Sequence, residues 1–460
     1  MKGLVLIFLF FLSMSSVFSQ NTADSISSTK SIKKNSLLTF LRNGNFQGKI
    51  RLFSSVTLNE GELSDYYANA VGINLRYVTN KFHGFQLGIN GYYGFNLVSS
   101  DLTKKDPTTN ATNRYELGLF DIEDATNKFR LSRLDEMFIS YAWKMNRVKL
   151  GCQSLNTPLI NQQDGRMNPT QVAGIWGNYF LTQKFEFQGG FITHVSPRST
   201  TRWYKVEDAI GINSQGIDPT GISGNYHHHI SSKGIAVLGM KYNQDPRFSF
   251  QIWDYFLENI HNSIYSDFKL RINNDAIQPW VIYGQGMIQN GGAFRSQNTY
   301  TSSNYFSSAW GIKLSKKFRN FETFLAFSRI NKGDEFLFPR EFGREPFFTF
   351  MPRERLEGCA NTNAFVGSVN YTKNNWKADL KMGYNKLPNV TDFAFNKYGL
   401  PSFLQTNFSV KYAFDKFLKG LNIECLLVYK KAMPEQFLAP KYYINKVNVF
   451  NGSLVLNYQF

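Results

Sequence analysis

The chain has 460 residues, with 51 Lys and Arg against 34 Asp and Glu and a formal net charge of +17 at pH 7. Its mean hydropathy is negative although aromatic residues make up 16% of it, with 43 Phe and 24 Tyr. No stretch beyond the N-terminus approaches the roughly 20 apolar residues that a membrane-spanning helix needs, and the three Cys, at 152, 359 and 425, are too scattered for a disulfide framework or a metal motif.

Lys2 and the apolar run Leu4 to Leu12, followed by the small-residue site Val17-Phe18-Ser19, read as a secretory signal peptide over 1–19. No Cys follows the run, so a lipoprotein anchor is not indicated. Export argues against nucleic acid as the partner of the positive charge. Anionic solutes and lipopolysaccharide phosphates remain. Residues 20–46, rich in Ser, Thr, Lys and Asn, read as a mobile lead-in.

From residue 47 to residue 460 the chain offers eighteen stretches of strand character. Their length, roughly ten to fourteen residues, is close to what a tilted strand needs to cross a bilayer. They fall near 47–57, 68–79, 84–97, 135–146, 147–155, 172–181, 184–197, 233–243 and 247–259. The second half adds 262–273, 277–290, 304–317, 321–332, 363–374, 375–387, 402–414, 420–432 and 448–460. Short turns such as 79–84, Met145-Asn146, 181–184 and 316–320 alternate with long segments such as 98–134, 156–171, 198–232 and 333–362. Loop length sorted by side is the pattern of an outer-membrane barrel, and it puts both termini in the periplasm. A soluble β-sandwich has no reason to sort its loops, and a polar average with many aromatics fits a wet lumen inside an apolar wall.

Parity within the strands agrees. Trp376, Leu380 and Met382 alternate with Lys377, Asp379 and Lys381, and Phe268, Leu270 and Ile272 with Asp267, Lys269 and Arg271. A charge facing lipid near the midplane costs about 2 to 4 kcal/mol, so the charged parity belongs to the lumen. This assigns Lys49, Arg51, Arg76, Lys269, Arg271, Lys313, Lys377, Lys381 and Lys411 to the interior, where basic rows favour anions. Asp267, Asp379 and Glu424 share that interior and balance part of the charge.

The closing stretch, Phe450 to Phe460, alternates Phe450, Leu454, Leu456 and Tyr458 with Asn451, Ser453, Asn457 and Gln459. It is expected to pair with the strand beginning near Lys49, and its terminal aromatic resembles the residue read by the barrel-assembly machinery. The most distinctive loop is 333–362, where Arg340, Arg344, Arg353 and Arg355 alternate with Glu341, Glu345, Glu354 and Glu357 among many Phe. So many rings suit a loop folded back into the barrel mouth, Phe against the wall and Arg offering paired donors to carboxylates. Internal Arg–Glu pairs that only fix the loop are the competing reading for any single Arg, and both can hold in one loop.

Several motifs carry a family resemblance: Leu134-Asp-Glu-Met-Phe-Ile-Ser-Tyr141, Asn156-Thr-Pro-Leu159, Gln163-Asp-Gly-Arg-Met167, Gly343-Arg-Glu-Pro-Phe347 and Pro352-Arg-Glu-Arg355. Through them the chain resembles the OprD family of substrate-specific outer-membrane porins over most of its length. The resemblance implies an all-β transmembrane antiparallel barrel of about 18 strands, with a constriction built by inward-folded loops. It also implies a ladder of basic residues guiding small carboxylate-bearing solutes, with Arg166, Arg344, Arg353 and Arg355 near the narrowest point. The lead-in, the long loop 198–232 and the abundance of Lys depart from the better-known members, so the resemblance does not name the solute.

The run His227-His228-His229 offers metal-ligand chemistry, but three consecutive rings do not readily face one ion and no carboxylate flanks them at a useful spacing. None of the six His accompanies a nucleophile motif. The chain therefore reads as a diffusion porin for small, mainly anionic or carboxylate-bearing solutes, with no enzyme activity, cofactor or metal. The other reading is an outer-membrane barrel enzyme or a surface adhesin acting through basic extracellular loops. The residues expected to line the pore and guide solute are Arg51, Arg76, Arg166, Arg271, Arg340, Arg344, Arg353, Arg355, Lys313 and Lys381. Outer-membrane lipid and lipopolysaccharide are the expected partners outside the wall.

Overall fold

Eighteen long antiparallel strands form the wall in the computed structural model, which describes residues 37–460 apart from 164, 244, 246, 274–276, 292–299, 303 and 434–436. The expected signal peptide and most of the lead-in lie outside the described residues. The first nine strands are β1 (Asn45–Asn59), β2 (Tyr66–Val78), β3 (Phe85–Ser99), β4 (Leu131–Trp143), β5 (Asn146–Gln153), β6 (Gln171–Phe180), β7 (Phe185–Ser196), β8 (Ile235–Tyr242) and β9 (Phe248–Leu257). The others are β10 (His261–Arg271), β11 (Trp280–Asn290), β12 (Phe306–Phe318), β13 (Phe321–Ile330), β14 (Thr362–Lys373), β15 (Trp376–Lys386), β16 (Phe403–Ala413), β17 (Leu421–Ala432) and β18 (Val449–Gln459).

Each strand pairs with the next, and β18 returns to β1 in a register running from Lys49↔Gln459 to Asn59↔Val449. Closure matters because an open edge in hydrocarbon would leave a row of backbone donors and acceptors unpaired. At the seam Gly48 N donates to Phe460 O over 2.8 Å, and Phe460 N returns a bond to Gly48 O. A Cβ at Gly48 would lie 2.2 Å from Cζ of Phe460, so the Phe460 ring covers this glycine and would have to swing aside for a larger residue.

The two faces of the wall differ as the parity predicts. Leu325, Met382, Phe365, Trp310 and Leu454 stand exposed on the outside, with Leu325 70% accessible. Such a continuous apolar band suits lipid and not water. Ser55, Gln285, Gln405, Asn407, Asn451 and Asn457 point inward and are buried. At the end of the barrel where β1 begins and β18 ends, the connections are turns such as 144–145, 319–320 and 374–375. At the other end they include 100–130, 154–170, 197–234, 331–361 and 433–448, with 60–65 and 258–260 as short exceptions.

Several segments of that second end pack against the wall. Phe336, Leu337, Phe338, Phe342 and Phe347 of segment 331–361 and Leu159 and Ile160 of segment 154–170 share one buried cluster with Trp253 and Tyr255 of β9. Burying a large apolar side chain is worth about 1.5 to 3 kcal/mol, so these rings hold the segment to the wall. A smaller cluster joins Phe53 and Tyr92 of the wall to Leu119, Phe120 and Met167.

Three local features differ from the sequence reading. Strand β4 begins at Leu131 and not at 135, because Leu131 is buried while Ser132 is exposed, which extends the alternation backwards. The end of the lead-in is a short helix, Leu37–Arg42, whose Phe40 is buried and whose Leu41 carbonyl accepts from the Tyr77 hydroxyl. Inside 197–234, a two-residue strand, Tyr204–Lys205, pairs with the top of β7 and runs into a helical turn, Val206–Ala209. Segments this short carry too few residues for a periodicity to show.

Candidate functional site

Segments 154–170 and 331–361 are stitched to each other before either meets the pore. Asn161 uses its side-chain amide as an extra backbone unit: Oδ1 accepts from Arg344 N (3.2 Å) and Nδ2 donates to Arg344 O (3.1 Å). Its own N donates to Phe342 O over 3.2 Å. Gln163 Nε2 donates to Arg340 O over 2.9 Å, while Gln163 Oε1 accepts from Arg355. The crossing is tight enough that a Cβ on Gly343 would sit 1.8 Å from the Leu159 carbonyl oxygen. Gly343→Ala is therefore expected to push the segments apart and move Arg344, with a stability cost of about 1 to 3 kcal/mol. Single-channel conductance that rises, together with a lower unfolding midpoint, would report it.

Wall and loops are then joined by charged side chains. Arg51 of β1 donates from Nε to Asn457 Oδ1 of β18 over 2.8 Å and from Nη1 to the Arg166 carbonyl. Arg353 reaches Asn451 Oδ1 at 2.5 Å and Ser453 Oγ at 3.1 Å, both on β18. Its backbone sits at φ 80°, a conformation costly for a residue with a Cβ, and these two wall bonds help hold it there. From segment 100–130, Tyr115 OH donates to the Arg353 carbonyl over 3.0 Å, and Glu116 accepts from Ser55 and Thr57 of β1.

These contacts enclose a cavity of about 380 Å³ whose lining includes eight arginines. Four of them are committed to the scaffold. Arg114 pairs with Glu354 at 2.9 Å, and Arg340 pairs with Glu357 and lies 3.9 Å over the Tyr398 ring. Arg355 is held by Gln163 and by Gly343 O at 2.8 Å, and Arg51 by the bonds above. The other four, Arg166, Arg198, Arg344 and Arg353, have no carboxylate within ion-pair distance among the described residues.

The two carboxylates in the lining, Glu354 and Glu424, already face Arg114, Lys430 and Lys411. Among the described residues, positive charge is thus left over at the centre. Burial, and then the neighbouring Arg353, push the Arg166 guanidinium down to about 9, while burial and the surrounding Arg355, Arg166, Arg353 and Arg344 lower that of Arg198. An entering anion relieves what these groups do to one another.

The remaining expected residues lie elsewhere in the ring. Arg76 lines a second cavity of about 460 Å³ on the side where β1 begins and β18 ends, which shares Arg51 with the first and also holds Lys49 and Lys149. There Arg76 is paired with Glu136 at 2.6 Å. Lys313 stands 3.9 Å over the Tyr283 ring and 5.0 Å over Phe348 of the long loop, and Lys381 lies 3.6 Å from Asp379. Arg271, on β10, lines neither cavity. Sequence reasoning missed Arg114 and Arg198, each a single arginine in a polar loop with no pattern around it. Asp164, part of one quoted motif, lies outside the described residues. The three consecutive His do not converge: His227 Nδ1 faces Ile210 O at 2.9 Å, His229 Nδ1 faces Asn225 O at 2.8 Å, and His228 lies 3.6 Å from Asp208.

Residues 84–336 match the family described as outer membrane porin, OprD family. The chain belongs to the OprD family. It is a bacterial outer-membrane channel and not an enzyme. Its fold is that of Pseudomonas aeruginosa OccK9 (OpdG), with 15% identity and a TM-score of 0.71 over 92% of this chain and 99% of that one. It is also similar to P. aeruginosa OpdK, solved with vanillate, at 13% identity and a TM-score of 0.70 over 92% and 99% of the two chains. Acinetobacter baumannii OccAB2 gives 14% identity and a TM-score of 0.70 over the same shares. No curated protein matches the chain in sequence.

Proposed function

We propose that this OprD-family porin passes small carboxylate-bearing solutes by diffusion, with the stitched segments 154–170 and 331–361 narrowing the passage. The observation that carries this reading is the set of four arginines, Arg166, Arg198, Arg344 and Arg353, turned to one cavity with no carboxylate at ion-pair distance among the described residues. A guanidinium offers a planar pair of donors that a carboxylate matches, so the cavity recognises both charge and shape. Vanillate, present in the OpdK structure, is a solute of that chemistry. In this reading solute leaves the arginine cavity past Arg51 into the cavity with Lys49, Arg76 and Lys149, so positive charge continues along the path. Such transport needs no cofactor or energy source.

Both termini then lie in the periplasm, with the long loops outside, lipid and lipopolysaccharide around the wall, and the barrel-assembly machinery as the partner of insertion. Purified protein in a planar bilayer under a salt gradient is expected to give stepwise currents with an anion-selective reversal potential. Cation selectivity, or no conductance from folded protein, would overturn the reading.

A further inference from the structure

Arg344 stands between two cavities. One is the arginine-rich space described above; the other, of about 380 Å³, lies on its far side between the same two stitched segments. The second space differs in chemistry. Arg344 is its one basic residue and no aromatic ring lines it; its walls carry the amides of Asn156 and Gln162, with Asn161 and Glu345 behind them.

Asn161 and Glu345 are occupied, Asn161 by the Arg344 backbone and Glu345 by Leu356 N at 2.8 Å. Asn156 and Gln162 are not: among the described residues neither side-chain amide makes a hydrogen bond. Each amide presents two donors and an acceptor, the complement of a hydroxyl or of another amide. The Glu345 carboxylate beside them repels a second anionic group.

We propose that this space is a solute subsite, selecting carboxylates whose tail carries hydroxyl or amide groups and no second charge. Arg344 holds the carboxylate at the boundary, and Asn156 and Gln162 bond the tail. The proposal rests on the carboxylate-porin reading and adds a discrimination that the arginines alone do not make. A carboxylate with a bare hydrocarbon tail leaves the two amides without partners once water is displaced, and a site built to bond a hydroxyl disfavours the analogue lacking it.

The test uses the full-length protein in proteoliposomes with two six-carbon acids, gluconate and hexanoate, and with chloride as the tail-less control. Gluconate is expected to pass faster than hexanoate relative to their free diffusion. In Asn156→Leu/Gln162→Leu that ratio is expected to fall about fivefold, with chloride flux changing far less than that of gluconate. Asn156→Ser, which keeps a hydroxyl, is expected to retain most of it, and gel mobility before and after boiling checks that each variant is a folded barrel. An unchanged ratio in the folded double variant would overturn the subsite while leaving the porin reading intact. Equal loss of both acids and chloride would also overturn it, since the two residues would then only shape the passage. Failure of the underlying reading shows separately, as absent anion selectivity in the unsubstituted protein.

Discussion

Arg344→Ala/Arg353→Ala is expected to lower carboxylate flux about tenfold or more at low ionic strength and to move the reversal potential toward that of a non-selective pore. The reasoning starts from what these side chains are doing. Among the described residues neither pairs with a carboxylate: Arg344 lies 5.1 Å over the Phe350 ring and is exposed, and Arg353 is held by neutral Asn451 and Ser453. Their charge is therefore available to solute, and a hydrogen bond to a charged group contributes about 1.5 to 3 kcal/mol.

Arg340→Ala is the informative contrast. Its guanidinium is spent on Glu357 and Tyr398, so removing it should loosen the loop more than it alters selectivity. Salt gives a second check. Screening acts over about 10 Å at 0.1 M and about 3 Å at 1 M, so the share of the effect due to exposed Arg344 should shrink more in concentrated salt than that of half-buried Arg353. Flux and selectivity measured across that range would sink the assignment if the double variant matched the unsubstituted protein at low salt.

The wall was legible because a barrel strand obeys two strict rules at once: a period of two, and a length set by the bilayer. Trp376 to Tyr384 satisfies both, and β15 spans Trp376–Lys386 as those residues require. That the loop 333–362 packs its rings was legible for a different reason, since so many Phe do not suit an exposed loop, and Phe336 and Phe342 are almost fully buried. What a sequence does not carry is which Arg meets which Glu. Arg340 and Glu357 are 17 positions apart and pair, whereas Arg353 sits next to Glu354 and instead bonds β18. Those choices depend on how three loops cross, which rests on single residues such as Asn161 and Gly343. Arg114 and Arg198 entered the cavity unannounced because their loops fold by contacts with other loops and not by a local repeat.

Glu354→Gln is expected to destabilise the folded barrel by about 3 to 5 kcal/mol, the usual cost of removing one partner from a buried ion pair. One carboxylate here serves two cations on different elements. Its Oε1 lies 2.9 Å from Arg114 of segment 100–130, and its Oε2 lies 3.0 Å from Lys430 of β17, whose side chain is 1% exposed. Lys430 also reaches the Tyr115 hydroxyl at 3.0 Å, so the group fixes two loops to the wall directly beneath Arg353. Neutralising Glu354 strands two cations, whereas Lys430→Met leaves Glu354 paired with Arg114 and should cost less. The double variant should cost less than the sum of the two, the mark of a direct interaction.

Although burial opposes ionisation, Arg114 and Lys430 more than offset it and hold the Glu354 carboxyl well below the usual range near 4.3. A lowered folded value means that the stabilisation is full above the unfolded value and is lost only as pH falls through the lowered one. The Glu354 contribution should accordingly survive acidification from pH 7 to about 4.3, with its loss confined to still more acid conditions. Urea midpoints of the unsubstituted and Glu354→Gln proteins should stay separated by a constant amount over that window. Midpoints that converge there, or a Gln variant as stable as the parent at pH 7, would show that the carboxylate does not hold the loops.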